Sequence, residues 1–223
     1  MIKHIYLIRG TKEESYDDFS KRIHHNAIQW LVNKEIIKLS FTITEEAPPK
    51  VSIIPFKKNK IAAITIFKMG AEPIDEILRI DGIEGAYSVT DAYPVAYEKN
   101  WAYGEKTSGV CLLTLFKQKK GIDYNTFIDR WHNSHTPLSL KIHPLWHYNR
   151  NVVDQKLVKD SESWNGIVEE HMKTRSELLN PFKFFGNPIV IIPRMIRVFL
   201  DTYSFLDYGS IEPYLVVEYH IKG

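Results

Sequence analysis

The residues best suited to chemistry fall in one stretch, Phe127-Ile128-Asp129-Arg130-Trp131-His132-Asn133-Ser134-His135-Thr136-Pro137-Leu138, with His143, His147, Tyr148, Asn149 and Asn151 close behind. Imidazole titrates near neutral pH, so His135 suits a general base or acid. A structural reading stands beside that one. Pro137 discourages helix at the residue before it, so the helix is expected to stop or bend there. A histidine at a helix end can simply cap unpaired carbonyls. His132 reads as solvent-facing or packing, and Trp131 and Phe127 as filler between helix and sheet. His132, His135, His143 and His147 lack the spacing of a zinc motif, because Pro137 and Pro144 interrupt any common helix; no metal site is expected.

On the strand that follows, His147, Asn149 and Asn151 share one face, and Trp146, Tyr148 and Arg150 the other. Three polar side chains on a buried face need partners or a ligand, which makes the strand a pocket wall. An exposed edge strand is the alternative. The usual catalytic patterns are missing: no glycine-rich dinucleotide loop, no phosphate loop, no serine elbow.

The elements that must position these residues read as a repeat. Ile2 to Ile8 is strand-like, and Ser15 with Asp18 opens an amphipathic helix through Phe19, Ile23, Ala27 and Trp30. Ile36 to Ile43 and Ile61 to Phe67 are strands, Pro73 to Ile80 a short helix, and Ala86 to Tyr97 a closing strand. After a polar junction near Glu98 to Ser108, the order recurs. Val110 to Phe116 is a strand, Asp123 caps a helix, and strands follow at Leu145 to Val153, Trp164 to Glu170 and Tyr214 to Ile221. This β-α-β-β-α-β order, twice, predicts an α+β fold of tandem ferredoxin-like repeats. Residues 1–100 form the first half and 108–223 the second, with a partly helical insertion at about 172–208. Two such sheets can bury each other's bare faces, giving an intrachain α+β barrel of the dimeric type.

The second half also resembles the EthD family. The Phe, Trp and His-Thr-Pro-Leu of the segment above match its signature helix, and Tyr148 and Asn151 match its next strand. Trp164-Asn165-Gly166 is similar to its Asp-Gly-led third strand, with Asn165 in place of the acid, and Asp201 to Asp207 is similar to its acidic and aromatic segment. The first half departs from the pattern, having Ile23, His24 and His25 where the tryptophan would be. The resemblance implies a small-molecule pocket and favours an oxidoreductase without fixing the reaction; the preferred reading is an enzyme, without cofactor, of oxidoreductase, lyase or cyclase type acting on an oxygenated apolar, polyketide-like or aromatic compound. His135 would move the proton, Tyr148 would donate to a carbonyl oxygen, and Asn151 would orient it, with Trp131, His132, His147 and Asn149 around the substrate. A non-catalytic ligand-binding protein is the rival reading, and a haem-binding barrel a third, since related barrels bind haem.

Composition narrows the field. A net charge of +2 without a basic stripe argues against a nucleic-acid partner. The single cysteine, Cys111, excludes an intrachain disulfide and fits a reducing, cytoplasmic setting. Ile189 to Leu200 is apolar but too short to span a bilayer, so no membrane association is expected. The apolar content of the insertion points to a pocket cover or a homodimer contact.

Overall fold

Apolar, β-branched runs bounded by turn residues become strands along the whole chain. The computed structural model describes all 223 residues. The strands are β1 (Ile2–Arg9), β2 (Ile36–Ile43), β3 (Ile61–Lys68), β4 (Ile83–Val95), β5 (Val110–Phe116), β6 (His147–Lys156), β7 (Gly166–Met172) and β8 (Glu212–Lys222). Every neighbouring pair is antiparallel, and the strands close a barrel in the order β1-β3-β2-β8-β5-β7-β6-β4.

This corrects the expected tandem ferredoxin-like architecture. The two halves do not form separate sheets stacked face to face. β2 pairs with β8, with Phe41 opposite Tyr219, and β4 pairs with β6, with Asp91 opposite Asn151. Hydrogen bonding therefore runs unbroken around one closed eight-stranded barrel. The cause is the cost of free edges. Separate sheets would leave rows of unpaired N–H and C=O groups, whereas closure satisfies them and turns the bare faces into one lumen.

Strand alternation then fills two sides. Into the lumen point Ile5, Leu7, Ala63, Leu113, Ile167 and Val216, with Cys111 fully buried among them. Outside the first half lies α1 (Tyr16–Trp30). Ser15 caps it, its side chain accepting from the Asp18 N–H at 3.0 Å, and Phe19, Ile23, Ala27 and Trp30 seal against Tyr6, Phe41 and Ile64. The short α2 (Asp75–Leu78) completes that cover, with Ile77 fully buried.

Outside the second half the cover begins with α3 (Tyr124–Asp129), capped by Asp123 accepting from the Thr126 N–H at 2.9 Å. The expected stop before Pro137 does not occur. A π-turn at Arg130–His135 carries the helix onward into α4 (Thr136–Ile142). Proline has no N–H to give and its ring crowds the carbonyl one turn back, and the wider π spacing accommodates both. Thr136 bonds the Trp131 carbonyl with its N–H and, at 3.0 Å, with its hydroxyl. His135 thus sits mid-helix and is no C-cap.

The insertion supplies α5 (Arg175–Leu179), α6 (Pro181–Phe184) and α7 (Ile191–Tyr203). No helix is long and apolar enough to cross a membrane. One close approach fixes the cover on the sheet. A Cβ at Gly166 would run into the Phe116 ring and lie 2.8 Å from Trp131, so glycine leaves these two rings their place against the strand.

Candidate functional site

The outer face of β5, β7 and β6 is the floor of a cavity of about 320 Å³. Leu112, Glu170 and Tyr148 stand side by side across the three strands, because Glu170 pairs in register with both neighbours. The helical cover contributes Trp131, His135, Ser139 and His143, and α7 adds Val198 and Thr202. Phe184, Phe205 and Leu206 close the sides, and the loop Ile53-Ile54-Pro55 reaches over from the first half of the chain. Most of the lining is apolar. That suits a small hydrophobic molecule oriented by a few polar groups.

The polar groups form a chain. Nδ1 of His135 lies 2.8 Å from Asp201 Oδ2, and Nε2 lies 3.1 Å from Ser139 Oγ. Asp201 also accepts from Ser134 Oγ at 2.5 Å. Burial alone would raise the Asp201 carboxyl, but these two bonds and the His135 charge hold it below the usual range. A carboxylate at Nδ1 places the ring proton there and leaves Nε2 as the acceptor. The π-turn and α4 set this up together, since Ser139 follows His135 by one helical turn. Arg130 ties the end of α7 down through the Ser204 carbonyl at 2.6 Å, which keeps Asp201 in place.

Glu170 behaves differently. Its carboxyl accepts no hydrogen bond from the protein, and burial in the apolar floor pushes it up to about 7, with His135 partly opposing. Tyr148 beside it is almost fully buried and is likewise raised, by burial first and by Glu170 second. At neutral pH the phenol is protonated and the carboxyl titrates.

The sequence-expected residues divide between two places. His135, Tyr148 and Trp131 line this cavity. His132 does not; it packs edge-on to Trp131, its buried Nε2 has no partner, and burial with Arg150 nearby depresses it to about 4. His147, Asn149 and Asn151 face the lumen instead, on the opposite side of the sheet. There Asn149 accepts from Lys3 Nζ at 3.2 Å and donates to Glu169 at 2.7 Å. His147 is depressed to about 3 by burial and by His171, and Asn151 donates to the Ile167 carbonyl at 2.9 Å. One strand supplies both sets because period two sends neighbours to opposite faces, and both faces are covered.

Three residues were not among the expected site residues. Ser139 and Asp201 are four and 66 residues from His135, and only the second separation is beyond local inference. Glu170 carried a signal: two consecutive glutamates end the apolar run Ile167-Val168, and alternation must bury one on each side of a covered strand.

No three His, Cys, Asp or Glu side chains converge as metal ligands. Haem fits these residues poorly. Ser139 Oγ stands against Nε2 of His135, Phe184 and Phe185 pack on the ring of His143, and a cavity of about 320 Å³ is small for a porphyrin.

No family model and no curated protein matches the chain. Among solved structures it is similar to a protein of Lactobacillus acidophilus NCFM provisionally assigned as a monooxygenase. The two are 10% identical, the match covers 97% of this chain and 93% of that one, and the TM-score is 0.47. A likeness at that level carries nothing about reaction or substrate.

Proposed function

We propose that the cavity between the outer sheet face and the helical cover is an active site that moves a proton, without a cofactor, on a small oxygenated apolar molecule of polyketide-like or aromatic kind. The observation that carries this reading is the His135 imidazole, held at Nδ1 by Asp201 with Nε2 on the cavity wall. In that tautomer Nε2 accepts from the Ser139 hydroxyl, and a substrate that displaces this hydroxyl can give Nε2 a proton from a phenol, an enol or a carbon beside a carbonyl. Glu170, with a pKa of about 7, and Tyr148 would donate to the oxygen on which negative charge develops. The resulting enolate or phenolate is the common starting point for addition to dioxygen, ring closure, or loss of water or carbon dioxide. The oxidoreductase, cyclase and lyase outcomes share this step.

Ser139, His135 and Asp201 have the connectivity of a hydrolytic triad, but acyl transfer is disfavoured. Ser139 is fully buried within α4, where backbone N–H groups are spent on helical bonds and none is free to hold an oxyanion. The direct test is proton exchange in D2O, followed by NMR on a panel of enolisable 1,3-diketones and hydroxylated aromatic compounds. The protein should accelerate exchange at the acidic carbon of at least one class that it binds. Binding without exchange across the panel would instead support a ligand-binding protein.

A further inference from the structure

Helix α7 has its apolar face the wrong way out for a helix of a freely dissolved protein. Ile192, Ile196, Phe199, Leu200 and Tyr203 recur at helical spacing and stand 61, 55, 49, 60 and 50% exposed. Ile189, just before the helix, is 85% exposed, and Phe182 on α6 is 52% exposed. A contiguous stripe of large apolar groups facing outward marks a contact surface. Its charges point to the occupant. The only charged side chains lining the shallow cleft beside the helix are Lys141, Arg194 and Arg197, all cationic. The single acid of α7, Asp201, is turned inward onto His135 and Ser134.

We propose that α7 seats on the surface of an anionic lipid bilayer, its apolar stripe below the headgroups and its basic residues among them. A second copy of the chain would bring cationic rims together across a two-fold axis, with no acid among the side chains lining the cleft. The helix lies on the membrane and does not span it, so the surface is compatible with the shortness of the segment. Val198 and Thr202 on the same helix line the cavity, which places an apolar ligand's route from the bilayer beside the pocket. That last link rests on the proposed active site; the docking does not.

Vesicle flotation tests the docking alone. The wild-type chain should float with equimolar phosphatidylglycerol and phosphatidylcholine vesicles at low salt, and binding should fall about tenfold in roughly 0.5 M salt. Ile196→Glu with Leu200→Gln should reduce binding about tenfold or more with an unchanged melting curve. Arg197→Glu, which keeps the stripe intact, should weaken binding to anionic vesicles and leave the weak binding to neutral ones unaltered. Failure of the wild type to bind any vesicle would overturn the proposal. So would binding that survives all three substitutions, or a wild-type dimer by sedimentation that binds no vesicle and that the double variant dissociates.

Discussion

Glu169 and Glu170 are neighbours on β7 with opposite circumstances. Glu169 faces the lumen, where Thr42 Oγ1 donates to it at 3.1 Å and Asn149 Nδ2 at 2.7 Å, with the buried Lys3 ammonium bonded to the same asparagine. Glu218 nearby is equally provided for: Tyr97, Thr107 and His220 reach it at 2.6, 2.8 and 3.2 Å. Burial would raise that carboxyl, but His171 and His220 hold it well below the usual range. Glu170, one residue on, looks into a mostly apolar cavity and accepts no hydrogen bond from the protein. The lumen network gives its carboxylates donors, although His171 Nε2 and Asn151 Oδ1 have no hydrogen-bond partner, and it ties the barrel end together beside a cavity of about 380 Å³. The outer cavity leaves polar groups unanswered. A ligand can answer them.

The comparison breaks most sharply from the lumen side. Glu218→Leu strands Tyr97, Thr107 and His220 without their acceptor and should cost about 3 kcal/mol in urea unfolding. Proton exchange by the outer cavity should survive it at temperatures where the variant stays folded. A lumen substitution that abolished exchange without unfolding the chain would make the lumen part of the site.

Glu170 gives the complementary effect with the opposite sign. Its folded-state pKa of about 7 lies above the ordinary glutamate value of 4.5, so the stability tied to its proton is fully present below about pH 4.5 and lost as pH rises through 7. Glu170→Gln removes that loss. The variant should be more stable than wild type at pH 8 by about 3 kcal/mol and show no advantage at pH 4. It should also abolish any fall in exchange rate centred near pH 7. An unchanged stability profile would mean that Glu170 is solvated or paired in solution.

Much of the local structure was legible because its determinants are local. Ile36–Ile43 and Val110–Phe116 are apolar runs with clear ends and appear as strands with those bounds. Ser15 and Asp123 cap helices as their spacing required. Barrel closure was not legible, because pairing of β2 with β8 and of β4 with β6 depends on edges far apart in the chain, and alternation says nothing about which edges meet. The same gap merged two surfaces into one expected pocket. His147, Asn149 and Asn151 were grouped with His135 by nearness in sequence, yet the sheet lies between them. The continuation of the helix past Thr136 also needed tertiary support, which the π-turn and the Asp201 contact supply.

The most direct test of the account is His135→Gln, measured in the D2O exchange assay alongside a thermal melt. Glutamine keeps much of the hydrogen bonding to Asp201 and Ser139 but cannot take up a proton at neutral pH. The exchange rate should fall about a hundredfold, with ligand still bound and little change in melting temperature. Undiminished exchange, or a loss matched step for step by unfolding, would contradict a catalytic His135.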